Sequence, residues 1–315
     1  MSELILHHYP MSPFAEKARL MLGFKGLAWH SVFIPSVMPK PDVVALTGGY
    51  RRTPLLQIGA DIWCDTALIA TVLEHRQPAP ALYPAALKGL ARVVAEWADS
   101  DLFWAAMGHN LSPKGAAALF GSQPPAVGQA FAADRGAMSA GMTRLRPGDA
   151  VSAYRSYLRR LAHMLHDQPF LLGDAPCIAD FAVYHPLWFT RVVNPAVAGI
   201  LDATPGVLAW MDRMAALGHG QPAKMSAADA IAVAAAAEPA PLPDEAFQDD
   251  HGIPLGSLVT VSAQSFGQEP TEGILRAATR THYTLERTDE RAGRVHVHFP
   301  RIGYVLRAVR PEGRA

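Results

Sequence analysis

Ser12 lies between a short apolar stretch, Leu4-Ile5-Leu6, and Pro13-Phe14-Ala15-Glu16-Lys17-Ala18-Arg19, where apolar residues begin to recur at helical spacing. Serine is a good N-cap, and proline is tolerated in a first turn. A hydroxyl held there sits beside unpaired N–H groups and the positive end of the helix dipole, which favours an anion. Two other stretches have related chemistry. In Arg52-Thr53-Pro54-Leu55-Leu56 a proline stands at the entrance of a strand, where it cannot donate to the ladder. If its bond is cis, the Thr53 backbone turns outward, free to pair with another extended chain. Asp65-Thr66 opens the next helical segment. Thr66 offers a hydroxyl and N–H groups to a carboxylate, and Asp65 can hold an ammonium group. A peptide-like ligand with a free amino-acid end and a thiol would satisfy all three.

The elements that must hold these groups read as an α/β first domain over residues 1–80. A strand at 4–8, a helix at 13–23 and a strand at 28–34 form a crossover, which makes the two strands parallel. Residues 35–49, rich in proline and glycine, read as a loop with at most one helical turn. A hairpin at 55–58 and 61–63 turns around Gly59-Ala60, and a helix covers 66–75. Residues 85–237 read as all-helical. Helices are expected at 87–109, 151–166, 178–189 and 205–217, with an alanine-rich one from 226; only one is readable between 112 and 149, near 127–142. Glu238-Pro-Ala-Pro-Leu-Pro243 is a linker. Residues 246–315 carry five strand patterns, at 257–263, 274–279, 282–286, 294–299 and 304–308, expected to form a small all-β, barrel-like module or curled sheet. In the fourth strand His296 and His298 share a face with Arg294. Two histidines at that spacing can ligate a metal. With no cysteine or acid in register they read instead as a solvated polar face, and no metal is expected.

Bulk properties exclude several classes. A formal net charge of zero argues against nucleic acid as the main partner. No apolar run reaches membrane-spanning length, and the N-terminus has no basic region followed by a long apolar stretch. Two cysteines, Cys64 and Cys177, make no disulfide framework, so a reducing cytoplasm is the expected home.

The three motifs, in this order and ahead of a helical domain, resemble the cytosolic glutathione transferase family over roughly residues 1–235. Ser12-Pro-Phe-Ala-Glu-Lys-Ala-Arg19 looks like the motif of the serine-type classes, tau among them; omega-type relatives have Cys-Pro-Phe there. Arg52-Thr-Pro-Leu-Leu56 is similar to the family's Lys-Val/Ile-Pro-x-Leu segment. Cys64-Asp-Thr-Ala-Leu-Ile-Ala70 is similar to its Glu-Ser-x-x-Ile helix start. The resemblance implies a thioredoxin-like first domain and an all-α second domain, with the β module as a departure. It also implies roles. Ser12 would donate to the glutathione sulfur, with Tyr9 as runner-up. Thr53 would pair with the cysteinyl backbone beside a structural Pro54. Asp65 and Thr66 would hold the γ-glutamyl end, and Arg52 or Lys40 the glycine carboxylate. An electrophile site between the domains would use Phe103, Trp104 and Met107, with Tyr9 or Met11. Cys177 stands where the family has a Ser or Thr that completes a capping box with Asp180. The expected function is conjugation of glutathione to a small apolar electrophile by a homodimer. The competing reading is a non-catalytic scaffold whose β tail recruits a partner; a glutathione-dependent reductase would want cysteine at position 12.

Overall fold

The computed structural model describes residues 3–242 and 244–309. Residues 1–2 of the expected first domain, 243 of the linker and 310–315 of the last domain lie outside the described residues. The chain opens with β1 (Ile5–His8), α1 (Pro13–Phe24), β2 (Ala28–Phe33), α2 (Pro41–Thr47), β3 (Leu55–Ile58), β4 (Asp61–Cys64) and α3 (Thr66–Arg76). The helical part follows. In it α4 (Lys88–Trp97) continues through a π turn, Ala98–Leu102, into α5 (Phe103–Asn110). Next come α6 (Pro113–Phe120), α7 (Pro125–Met138), α8 (Pro147–Met164), α9 (Ile178–Trp188), extended by a π turn, and α10 (Pro205–Ala215). A short strand β5 (Gln221–Lys224) and α11 (Ala227–Ala235) lead to β6 (Leu258–Ala263), β7 (Thr271–Ala278), β8 (His282–Asp289), β9 (Gly293–Pro300) and β10 (Tyr304–Ala308).

Local chemistry explains most boundaries. The Ser12 hydroxyl accepts from the Ala15 N–H at 3.2 Å, capping α1, and Gly26, at φ +63°, turns the chain beyond its end. The stretch expected as a loop contains a two-turn helix instead. Pro41 suits its first turn, and Gly48, at φ +78°, terminates it; read as punctuation, the same residues are a helix start and stop. Between 112 and 149 two helices form rather than one, each with a proline in its first turn. The Asp180 carboxylate accepts from the Cys177 N–H at 3.0 Å, so the acid's half of the capping box stands although cysteine replaces the hydroxyl residue.

The residues expected to form a barrel-like module or curled sheet do form strands, but these belong to a larger sheet. All ten strands lie in one sheet, ordered β10-β6-β7-β8-β9-β4-β3-β1-β2-β5. The C-terminal strands run antiparallel among themselves, and β9 then pairs in parallel with β4: Asp61 faces His296, Ile62 faces Val297 and Trp63 faces His298. No ladder closes β10 onto β9 among the described residues. The outer edge of β2 is covered by β5, again in parallel. The β tail also shares its core. Val259, Val261, Leu275, Val295, Val297 and Phe299 pack in one cluster with Ile5, Val32, Leu55 and Ile62 of the first domain. The opposite face of β1 to β4 packs in a second cluster with α1, α3 and the helical part.

A buried ion pair ties α1 to the helices. Lys17, fully buried, donates to Asp99 in the π turn at 2.5 Å, and His185 of α9 lies 3.0 Å from the other Asp99 oxygen. Burial alone would raise the Asp99 pKa, but Lys17 and His185 hold the carboxyl below its ordinary 3.8. Asp99→Asn should therefore cost about 3 kcal/mol at neutral pH, because it leaves the Lys17 charge buried and unpaired. A depressed carboxyl pKa contributes stability that is lost as pH falls through it, so the deficit should shrink below pH 3.8. Urea unfolding of both proteins across pH checks this; a constant deficit would contradict it.

Candidate functional site

The turn carrying Ser12 is held by a buried polar network. Glu16 accepts from Arg19 at 2.7 Å, and Arg19 in turn donates to the Pro10 carbonyl and to His8 Nδ1, each at 3.0 Å. Burial, then the Arg19 charge, push the His8 pKa down to about 3, so the ring is neutral and its Nε2 is left to donate to the Ser31 hydroxyl at 2.8 Å. Ser12 itself is 2 % exposed. Its oxygen is used as an acceptor by the Ala15 N–H, and its own proton is committed to no partner among the described residues.

Thr53 lies two residues before the ladder residue Leu55, and the Thr53–Pro54 peptide is cis. Neither the Thr53 N–H nor its C=O makes a hydrogen bond among the described residues. Lys40 Nζ sits 3.4 Å from the Thr53 hydroxyl and 5.8 Å from the centre of the Tyr9 ring. Burial, then the Arg135 charge, lower the Lys40 pKa to about 8. Asp65 caps α3, accepting from the Ala67 N–H at 3.0 Å. It is the one non-glycine residue at positive φ, +74°, among the described residues, a conformation that costs of order 1 kcal/mol and needs support. The Thr66 N–H at the helix start has no partner among them.

That support comes from residues the sequence reading did not single out. Tyr304 of β10 donates to the second Asp65 oxygen at 3.0 Å and lies 3.0 Å from the Tyr50 hydroxyl, which makes Tyr50 the donor to Tyr304. Both tyrosines are raised well above their ordinary pKa, by burial first and the Asp65 charge second, so both stay protonated. Arg52 lies 3.7 Å from Asp65 and 5.4 Å from the centre of the Tyr304 ring, and it donates to the Phe266 carbonyl at 2.7 Å. It is engaged with the β tail rather than standing free for a carboxylate.

The loop between β6 and β7 reaches across to the helices. The Phe266 ring meets Trp104 edge-on at 5.2 Å, and the Gly267 N–H donates to the Met138 carbonyl at 2.7 Å. A side chain at Gly267 would be strained at φ +66° and would start 2.8 Å from the Met138 methyl. Arg51 bridges Glu269 of this loop and Asp134 of α7, while Arg135 donates to the Tyr9 hydroxyl at 3.1 Å. Of the residues expected between the domains, Tyr9 and Trp104 are half-buried and Met11 is 45 % exposed. Phe103 and Met107 are buried in the helical core. His296 and His298 do not form the expected solvated face. They are buried against Asp61 of β4, an acid that strand pairing supplies from far along the chain. Of all these groups, Tyr304 gave the least signal, because its partner lies 239 residues away.

Two family models match the chain: Glutathione S-transferase, N-terminal domain, over residues 6–81, and Glutathione S-transferase, C-terminal domain, over residues 80–213. The solved structure of a GST-like protein from Pseudomonas syringae is 45 % identical, with a TM-score of 0.81, and the match covers 98 % of this chain and 100 % of that one. That similarity includes the C-terminal strands. A glutathione S-transferase from Rhodospirillum rubrum F11 is 19 % identical at a TM-score of 0.51, covering 66 % of this chain and 86 % of its own. The Tau class enzyme MiGSTU from mango is 17 % identical at a TM-score of 0.50, covering 68 % and 89 %. At those identities the likeness is one of fold. No curated protein matches the chain.

The Tyr50–Tyr304–Asp65 chain makes a stability prediction. Tyr304→Phe should cost about 1–2 kcal/mol, because it leaves the buried Tyr50 hydroxyl and the half-buried Asp65 carboxylate each short of a hydrogen bond. Tyr50→Phe in the Tyr304→Phe background should add less than it does alone, with a coupling above about 0.5 kcal/mol by double-mutant cycle in urea. Additive losses would show that the chain does not act as a unit.

Proposed function

The chain belongs to the glutathione S-transferase family, and from that premise we propose that it binds glutathione beside Thr53 and adds its thiolate to a small apolar electrophile. The observation that carries this reading is the Thr53 backbone, whose N–H and C=O are unpaired among the described residues, with Lys40 beside its hydroxyl and the adjacent Arg52 3.7 Å from Asp65 at the start of α3. The cysteinyl residue pairs there as a short added strand. The γ-glutamyl carboxylate meets the free Thr66 N–H, and its ammonium group shares Asp65 with Tyr304. The glycine carboxylate goes to Lys40, since Arg52 is already engaged. Ser12, of the serine type, donates its uncommitted proton to the sulfur at the N-terminus of α1. A free thiol has a pKa of about 8.5, and both influences favour the thiolate. The thiol proton leaves to solvent, the sulfur forms a bond to the electrophilic carbon, and the displaced group departs with its electron pair. Tyr9, Met11 and Trp104 line the apolar side, and a cytoplasmic homodimer belongs to the same reading.

A second reading, a non-catalytic glutathione-binding scaffold, is favoured by two observations. Ser12 is almost fully covered, and Asp65 is already held by the β tail. Calorimetric titration with glutathione, alongside conjugation rates on a panel of electrophiles, separates the two. Ser12→Ala should bind glutathione within about twofold of wild type yet lose about 10²-fold in conjugation, as when one donor to a developing anion is removed. Binding without turnover on any electrophile would select the scaffold. Turnover unchanged by Ser12→Ala would move the sulfur donor to Tyr9 or to backbone groups. No binding would overturn both readings.

Lys40 adds a pH test. With its pKa lowered to about 8, it is charged at pH 7 and neutral well above pH 8. Lys40→Met should weaken S-methylglutathione, whose sulfur carries no proton, about tenfold at pH 7. The wild-type advantage should fade as pH rises through 8. An advantage that holds to pH 9.5 would assign the glycine carboxylate elsewhere.

A further inference from the structure

Where β9 joins β4, the side chains of Asp61, His296 and His298 converge. They are 5 %, 7 % and 3 % exposed, and one ligand atom from each lies within 4.8 Å of the other two. We infer that this cluster is a divalent transition-metal site, best suited to zinc, that staples the C-terminal strands to the first domain's sheet.

The geometry and the outer contacts carry the inference together. Asp61 Oδ1 lies 2.9 Å from His298 Nε2 and 3.8 Å from His296 Nδ1. Zinc with bonds of about 2.0–2.2 Å to nitrogen and oxygen holds tetrahedral ligand atoms about 3.3 Å apart, between those two distances. Small side-chain adjustments close the set. Metal-binding imidazoles give one nitrogen to the ion and the other to a carboxylate or other polar group that fixes the ring. His298 is arranged so, and His296 faces a carboxylate just beyond hydrogen-bond length. His296 turns Nε2 toward Glu286 at 3.6 Å, and His298 turns Nδ1 to the Thr284 hydroxyl at 2.9 Å. Asp61 is anchored likewise, its other oxygen accepting from the Ala240 N–H at 2.8 Å. Trp63, stacked on His298 at 3.8 Å and nearly parallel to it, fixes that ring's plane.

A hydrogen-bonded Asp–His pair alone would need only His298. It leaves His296 unexplained: its side chain is 9 % exposed, and Nδ1 is buried with no hydrogen-bond partner among the described residues while facing Asp61. A metal ion satisfies that nitrogen. Two imidazoles and one carboxylate suit zinc, cobalt or nickel better than magnesium or calcium, which prefer all-oxygen sets. Three protein ligands leave a fourth position for water.

The test uses the full chain, stripped with a chelator and titrated with Zn²⁺ against a chromophoric competitor. A parallel titration with Co²⁺ is followed by its visible d–d absorption. One equivalent per chain should bind with sub-micromolar affinity, and the Co²⁺ bands should report four-coordinate geometry. Glu286→Gln should weaken Zn²⁺ about 10–100-fold, as loss of an outer partner does. His296→Gln should weaken it by more than about 100-fold, since it removes a ligand itself. Circular dichroism and the urea midpoint of metal-free His296→Gln should stay close to wild type, because Nδ1 has no hydrogen bond to lose among the described residues and the glutamine amide keeps a polar group toward Glu286. Asp61→Asn, which keeps an acceptor for Ala240, serves as the second ligand variant. Absence of saturable binding, or affinity unchanged in both His296→Gln and Asp61→Asn, would overturn the assignment.

Discussion

The structure depends on how the outer edge of β4 is satisfied. An edge strand exposes a row of unpaired N–H and C=O groups and must be paired, covered or blunted. Here β9 pairs with it over Asp61 to Trp63, and the remaining C-terminal strands extend the sheet from there. The consequence reaches well beyond the edge. With β9 in place, Val295, Val297 and Phe299 complete a core begun by Ile5, Leu55 and Ile62, so the tail is folded against the first domain and not merely tethered to it. The same pairing brings β10 and the loop after β6 to the first domain and the helices, where Tyr304 reaches Asp65 and Phe266 reaches Trp104.

The surroundings of Thr53 and Asp65 are thus made from two halves of different character. The first domain supplies features that follow from local backbone geometry: two helix N-termini, at Ser12 and Asp65, and the unpaired Thr53 between them in sequence. The C-terminal half supplies groups that fix charge. Tyr304 donates to Asp65, which sits in a backbone conformation that needs such support, and the Phe266 carbonyl holds Arg52 of the first domain beside the same carboxylate. Lys40 and Arg52, equivalent as sequence candidates for a ligand carboxylate, are distinguished by this environment. Arg52 is turned toward the tail, while Lys40 stays beside Thr53 with its charge weakened by burial.

Much of this was legible in the sequence where the signal is local. The cap at Ser12, the hairpin around Gly59 and the five C-terminal strands appear close to where their residue patterns place them. So does the face of Tyr154, Leu158, Leu161 and Leu165 on α8 and just beyond its end. Pairing between distant strands left no such trace. Alternation along β9 correctly put His296 and His298 on one face and Val295, Val297 and Phe299 on the other, but it cannot say whether the polar face meets water. Asp61, which buries that face with them, comes from the far side of the helical domain in sequence. Likewise nothing near Tyr304 announces a partner at Asp65. The helix at Pro41–Thr47 was hidden because proline and glycine mark its ends as readily as they mark a loop.

The proposed function turns on Thr53 receiving an extended tripeptide beside the loop and strand of the C-terminal tail that hold Arg52 and Asp65. A crystal structure of the full chain at saturating glutathione tests it most directly. The account predicts the cysteinyl residue paired with the Thr53 N–H and C=O, the γ-glutamyl end between Thr66 and Asp65, and Tyr304 still bonded to Asp65. Thr53 left without glutathione, with Phe266 and its neighbours packed over it, would contradict it.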